Sequence, residues 1–342
     1  MRTIEEMGEF GLIDHLTSGF STLQESTKLG VGDDAAVIDH GAYYQVITTD
    51  LLLEGIHFDL VYTPLKHLGY KAVVVNLSDI YAMNGAPRQV TISVGISDKF
   101  SVEALEELYE GVRLACERYR VDMVGGDTSA SVTGLIISVT AIGTLRKEEL
   151  TLRSGAKLHN LICVSGDLGA AFMGLKILER EKQLHAADPG FQPELKGYDY
   201  VLERFLKPEP RVDILLALKE SGIIPKAMID VSDGLSSDLL HICKASRCGC
   251  QIYDDRIPIA DETRKVAGEF QMEPLVPALH GGEDYELIFT VPLSDFDRVS
   301  AIPGVHVVGN ITEEKAGARL VTGEGRAIPL QAQGWNAFTR QG

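Results

Sequence analysis

Carboxylates recur along this chain where apolar segments give way to small residues. Asp33 and Asp34 stand in VGDDAAV, Asp50 in TTDLLLEGIHF, Asp79 in VNLSDIYAMNGA and Asp127 in VGGDTS. Asp230 and Asp233 follow in IDVSDGLSSDL, and Glu283 with Asp284 in HGGEDYELIF. A single such motif is ordinary, because Asp beside Gly or Ser caps helices and closes turns, and Asp233 stands where a helix N-terminus could use it so. Asp79 resists that account. It falls in the middle of an apolar helical stretch, on the same face as Asn76 and Met83. An unpaired buried carboxylate there costs several kcal/mol, and few Lys or Arg residues flank these clusters, so a bound metal is the simplest partner. Carboxylates with Thr48 and Thr49, and no grouping of His and Cys, select a hard cation, Mg²⁺ before Ca²⁺ and well before Zn²⁺. Converging acids that hold several Mg²⁺ ions suit phosphoryl transfer, in which the ions bridge and neutralise phosphate oxygens. A helix N-terminus at Ser232–Gly234 can add backbone N–H donors toward a nucleotide phosphate.

These residues need elements to hold them. Helical spacing runs over Ile4–Leu16, and YYQVITT at Tyr43–Thr49 reads as a strand leading into Asp50. The long stretch Lys66–Met83 has Gly69 as its only turn residue and predicts a helix. Gln89–Ile96 predicts a strand, Val102–Tyr119 an amphipathic helix, and Leu135–Leu145 a further strand. The charged segment RKEELTLRSGAKLHN then has no clear period, and a domain boundary falls there, giving domains 1–148 and 149–342. Beyond it, strands are expected at Leu161–Ser165, Ala227–Val231, Gly249–Tyr253 and Tyr285–Val291, with helices at Ala170–Arg180 and Gly234–Ala245. HAADPGFQPELKGYD is polar and rich in Pro and Gly, as in a surface loop. Strands and helices alternate in both halves, so an α+β protein of two mixed α/β-type domains is expected.

With 342 residues, two domains are the prior. The 49 acidic residues against 32 basic ones leave a net charge of −17, which repels nucleic acid and anionic membrane surfaces. No run approaches the roughly 18 apolar residues of a membrane span, and the N-terminus lacks a signal-peptide core. Five cysteines do not form a disulfide framework, which points to a reduced, cytoplasmic setting. Gly30-Val-Gly32-Asp33-Asp34-Ala35 has the letters of a dinucleotide fingerprint but no strand before it, and two aspartates where a pyrophosphate would lie. SGDLG at 165–169 suits an ordinary strand-to-helix turn better than a phosphate cradle, and no P-loop motif occurs. Cys243, Cys248 and Cys250 lack zinc-ligand spacing and read as small core residues.

Taken together and in order, GEFGLI, VGDDAAV, TTDLLLEGIHF, YKAVVVNLSDIYAMNGAP, VGGDTS, LRSGAK, IDVSDGLSSDLLHI, GGEDYELIFTV and the late GW…F resemble the thiamine-monophosphate kinases almost end to end. The resemblance implies ATP-dependent phosphorylation of thiamine monophosphate to thiamine diphosphate by direct in-line transfer. It implies the fold shared with aminoimidazole ribonucleotide synthetase, with N-terminal sheets pairing across a homodimer and the site in a cleft between domains. Carried over, the Mg²⁺ ligands would be Asp34 with Asp33 beside it, Thr48, Thr49, Asp50, Asp79, Asp127, Asp230 and Asp233, of which Asp50, Asp79, Asp127 and Asp230 would carry catalysis. ATP would meet Gly126, Asp127, Arg153 and Ser232, with Tyr109 near the adenine. Thiamine monophosphate would meet His57, Glu283 and Trp335. A thiazolium cation and an aminopyrimidine favour an aromatic face and a carboxylate, which Trp335 and Glu283 could supply, although either could be structural. Two alternatives remain at this stage: another ATP-using enzyme of the same superfamily, and a non-catalytic ATP–Mg²⁺ sensor. A selenophosphate synthetase would need a reactive residue near the N-terminus, where the first cysteine here is Cys116.

Overall fold

A computed structural model describes residues 4–188, 190 and 192–332. Helix α1 (Ile4–Thr17) is kinked at Gly8 and leads into β1 (Thr27–Leu29), β2 (Ala36–Asp39) and β3 (Tyr44–Leu53). Helix α2 (Leu65–Ala82), β4 (Ala86–Ile96), α3 (Val102–Tyr119), β5 (Asp122–Ala130) and β6 (Ile136–Leu145) follow. The six strands form one sheet in the order β1-β2-β3-β6-β4-β5, antiparallel except for β4 against β5.

Beyond residue 146 the elements are β7 (Leu161–Ser165), α4 (Ala170–Ala187), α5 (Asp199–Leu206), α6 (Val212–Glu220), β8 (Ala227–Asp230), α7 (Leu235–Ser246) and β9 (Gly249–Tyr253). They continue with α8 (Asp261–Glu269), α9 (Leu275–His280), β10 (Leu287–Val291), α10 (Phe296–Ser300), β11 (Val305–Thr312), β12 (Ala318–Val321) and β13 (Ala327–Pro329). Their seven strands make a second sheet in the order β13-β12-β9-β11-β7-β10-β8.

Period-two alternation sorts the central strands of the second sheet. Leu161, Cys163, Met228, Leu287 and Phe289 face a core shared with the first sheet. Ile162, Val164, Ala227, Ile229 and Ile288 face a separate core under α7. With both faces covered, these strands read as continuous apolar runs, LICVS and LIFTV. Helix α2 lies in the shared core and is buried nearly all round, which is why its sequence shows no polar face. Its Gly69 is a packing device: a Cβ there would stand 1.9 Å from the Leu108 carbonyl oxygen of α3, and one on Gly111 of α3 equally close to that of Lys66.

The expected strands and helices are present, several with shifted ends. The helix that begins at Ala170 runs to Ala187, so the polar loop starts later than its composition suggests. The strand through Asp50 continues to Leu53, so Asp50 lies inside a strand rather than at its end. Strand β5 (DMVGGDTSA) carries Gly, Asp and Ser, which are poor strand formers, and its pairing with β4 makes it a strand. Asp127 therefore stands mid-strand opposite Ser93 instead of at an element end.

Candidate active site

A cavity of about 1890 Å³ opens between the two sheets. Four segments from distant parts of the sequence bring carboxylates to one end of it: the turn before β2 (Asp33, Asp34), the middle of β3 (Asp50), α2 (Asp79), and the end of β8 with the turn after it (Asp230, Asp233). Carboxylate oxygens of Asp34, Asp79 and Asp230 all lie within 4.8 Å of one another.

Helix α2 organises this cluster with one turn of polar residues. Asn76 Oδ1 accepts the Asp50 N–H at 3.0 Å, Ser78 donates to Asp230 Oδ2 at 2.6 Å, and Asp79 Oδ2 accepts from the Thr48 hydroxyl at 2.6 Å. Asn76 is anchored in turn by donating to the Ala72 carbonyl at 3.1 Å. Thr49, next along β3, donates to the Val139 carbonyl and accepts from Thr140, both at 3.1 Å, so its hydroxyl is committed to the sheet.

Arg153 closes the other side. Its Nη2 donates to Asp34 Oδ1 at 2.6 Å and its Nε to the same oxygen at 3.1 Å, while its backbone N–H donates to Asp33 at 3.1 Å. Asp34 Oδ2 is buried and has no hydrogen-bond partner among the described residues. Beneath the turn after β8, the fully buried Asp238 accepts from the N–H groups of Asp233 (3.2 Å) and Gly234 (3.1 Å). Asp238 thus orders the start of α7, and Asp233 does not act as its cap.

Crowding of acids in a buried place disfavours their charged forms. Burial, then the charge of Asp34, pushes Asp230 up to about 7. Burial, then Asp34 again, raises Asp33 to about 7, against the Arg153 N–H. Burial with the charge of Glu9 raises both Asp50 and Asp233 to about 6. Asp79 is raised by burial and by Asp50, Asp230 and Asp34 together. Arg153 is one guanidinium against this group. Donors of oxygen type, mutual repulsion and the orphaned Asp34 Oδ2 fit hard divalent cations, Mg²⁺ above others.

The far end of the cavity has a different character. His57, Phe58, Tyr62, Phe172, Phe205 and Glu283 line it. His57 Nδ1 accepts the Leu53 N–H at 3.1 Å, and burial lowers its pKa below the usual 6.5, so it is neutral at pH 7. Glu283 sits at φ +58° between Gly282 (φ +72°) and a chain that turns left-handed again at Tyr285 (φ +51°). Its N–H donates to the Ser232 carbonyl at 2.7 Å, which ties the two ends of the cavity together. A Cβ on Gly282 would lie 2.5 Å from that same carbonyl oxygen, so Gly282 is required by the close approach.

Of the residues expected from sequence, Asp33, Asp34, Thr48, Thr49, Asp50, His57, Asp79, Arg153, Asp230, Ser232, Asp233 and Glu283 line this one cavity. Tyr109, Gly126 and Asp127 do not: Gly126 and Asp127 sit on the exposed edge strand β5, and Tyr109 on α3. Trp335 lies outside the described residues. Ser78, Asp238 and Lys71, and the bond by which Asn76 holds Asp50, emerge only from the structure. Lys71 had the same signal as Asp79, a charge inside an apolar helix.

Family models match both parts of the chain: AIR synthase related protein, N-terminal domain, over residues 32–145, and AIR synthase related protein, C-terminal domain, over 157–321. The thiamine-monophosphate kinase of Aquifex aeolicus is 34% identical over 91% of this chain and 98% of its own length. That of Bacillus subtilis is 32% identical over 97% of this chain and 100% of its own. The chain belongs to the thiamine-monophosphate kinase family. A solved structure of this family, AaThiL complexed with AMPPCP and TMP, superposes with a TM-score of 0.83 at 31% identity, covering 99% of both chains. The hydrogenase maturation protein HypE in complex with ATP matches with a TM-score of 0.68 at 17% identity and shares the fold.

Proposed function

We propose that this chain is a thiamine-monophosphate kinase, transferring the γ-phosphoryl group of ATP to thiamine monophosphate to give thiamine diphosphate and ADP. The observation that carries this reading is the placement of Asp34, Asp79 and Asp230, oxygens within 4.8 Å of one another, at one end of a cavity whose other end is aromatic and holds Glu283. The names of its relatives agree.

In the transfer, an oxygen of the acceptor phosphate forms a bond to the γ-phosphorus as the bond to the β,γ-bridging oxygen breaks, and ADP leaves. The acceptor oxygen is already anionic near neutral pH, so no side chain has to take a proton from it. Asp34, Asp79 and Asp230, with Asp33, Asp50, Asp233 and Thr48 around them, would hold Mg²⁺, and Thr49, whose hydroxyl is committed to the sheet, drops out of the expected ligand set. Mg²⁺ held there would supply positive charge that offsets the charge of the phosphate oxygens. The chain's own contribution is to fix those carboxylates through Asn76, Ser78 and Thr48, so little reorganisation accompanies the reaction. Arg153 stands ready to exchange part of its contact with Asp34 for a nucleotide phosphate, and Ser232 borders the same space.

The working unit of this reading is a homodimer. Strand β5 is exposed along its whole length, including Met123 and Val124, and this exposed edge carries Gly126 and Asp127. An unpaired edge of this kind invites a second copy, which would cover the apolar residues and bring Asp127 and Tyr109 toward a site they do not reach within one chain. Among the described residues no helix is long and apolar enough to cross a membrane. A cytoplasmic setting belongs to this reading, because the reaction draws on ATP.

The test is ADP release by the purified chain with Mg²⁺ and ATP. Thiamine monophosphate should support turnover and free thiamine should not. Equal turnover of free thiamine would overturn the reading, because its acceptor is an alcohol that needs a base.

A further inference from the structure

We infer that Lys71 is a positioning residue for substrate selection: it clamps Glu283 as a hydrogen-bond acceptor at a set distance from the acidic cluster. This inference rests on the proposed kinase reading and deepens it.

The ammonium of Lys71 is buried in α2, its side chain 6% exposed, beside apolar neighbours that give it no solvent. A cation so placed needs an anion and full use of its donors. Its Nζ lies 2.5 Å from Glu283 Oε2, donates to the Phe205 carbonyl at 3.1 Å, and stands 4.2 Å from the centre of the Phe205 ring. Glu283, 28% exposed, lines the cavity where Lys71 does not. One carboxylate oxygen is therefore held from behind, and the other is left to face a bound molecule.

Two consequences follow for what the cavity accepts. First, the pair is neutral as a unit, so this end of the cavity does not select ligands by net positive charge. It offers an oriented acceptor beside aromatic rings, and the group it suits is an N–H-bearing heteroaromatic ring such as an aminopyrimidine. Second, Lys71, Val75 and Asp79 lie on one face of α2 at i, i+4 and i+8, so a rise of about 12 Å separates the backbone that carries the clamp from the backbone that carries Asp79. A substrate that fits must reach from the clamped acceptor to the acidic cluster with its amino-substituted ring at one end and its phosphate at the other. Helix α2 sets that span.

The experiment is a double-mutant cycle of Lys71→Met and Glu283→Gln, read as kcat and KM for thiamine monophosphate and KM for ATP, with melting curves for each protein. Lys71→Met should raise KM for thiamine monophosphate at least about tenfold, with kcat within about threefold and KM for ATP unchanged. On the Glu283→Gln background the same substitution should add less than about twofold, since the acceptor it positions is already altered. An unchanged KM for thiamine monophosphate in Lys71→Met, or an equal factor on both backgrounds, would overturn the clamp and leave Lys71 as packing. If Lys71→Met gives no cooperative melt, Lys71→Gln takes its place; it is one atom shorter, loses contact with Glu283, and faces the same two outcomes. Wild-type protein that releases no ADP with thiamine monophosphate refutes the kinase reading before any variant is made, whereas active wild type without coupling refutes this inference alone.

Discussion

Asp230→Asn tests whether the acidic cluster is a strained device held for a cation. In the folded chain its carboxyl, 2% exposed, is pushed from the usual 3.8 up to about 7 by burial and then by Asp34. A shift of that size costs the folded, ionised state on the order of 4 kcal/mol. The sign follows from proton binding. Between pH 4 and 7 the folded state holds a proton at Asp230 that the unfolded state has lost, so this contribution to stability is fully present below pH 4 and is lost as pH rises through about 7. Asparagine keeps the shape and can still accept from Ser78 Oγ, but cannot ionise. In EDTA at pH 8 the variant should therefore melt several degrees above wild type; the gap should narrow to somewhat under half of that at pH 5 and close only below about pH 4. With Mg²⁺ and ATP at pH 8 the order should reverse, because wild type gains more from a ligand its full charge can bind. The assay is differential scanning calorimetry at both pH values, with EDTA and with Mg²⁺–ATP. A variant that melts below wild type in EDTA at pH 8, by the same margin at pH 5, would refute the reasoning and make Asp230 a structural hydrogen-bond acceptor.

Asp50→Asn should lower kcat by at least about a hundredfold with little loss of melting temperature, since its N–H bond to Asn76 survives; near-wild-type turnover at saturating Mg²⁺ would remove Asp50 from the ligand set. Arg153→Met leaves Asp34 buried without its guanidinium, so the metal-free protein should lose about 3 kcal/mol in urea titration and KM for ATP should rise about tenfold. Gly282→Ala forces a side chain into a left-handed turn and against the Ser232 carbonyl; urea titration should show a loss of about 1–3 kcal/mol and KM for thiamine monophosphate should rise, through displaced Glu283.

Period and punctuation revealed about half of the elements, whereas short ones such as α5, α6, α8, β11 and β12 carry too few residues to show a clear period. The strand LICVS and the amphipathic helix Val102–Tyr119 fall where their patterns place them. Strand β5 was not legible, because its residues disfavour strands and only its partner β4 makes it one. For the site, Asp79 announced itself as a charge in an apolar helix, and the acids around it followed from their motifs. The bonds of Asn76 and Ser78 were hidden in that same helix, since nothing local says that a polar side chain will meet β3 or β8. Lys71 carries the same signal as Asp79, a charge inside an apolar helix, but its partner Glu283 lies 212 residues along the chain. Tyr109, Gly126 and Asp127 mark the reverse limit: their motifs can be read from one chain, whereas their place in a site cannot.

The apolar core that joins the two sheets leaves the molecule without a seam. Helix α2 packs on β3 and β6 from one side and meets β8 on the other, and the connecting segment is pinned by the Thr151 N–H to Met83 and the Met228 N–H to Leu152. Swinging the halves apart would tear this core open, so ligand entry has to be a matter of surface segments around the rim rather than of a hinge. The same continuity makes the two sheets a single co-operative unit in unfolding. Damage deep in one half is felt as lost order in the other, and a fragment cut before β7 would carry α2 with a naked apolar flank that invites chaperones.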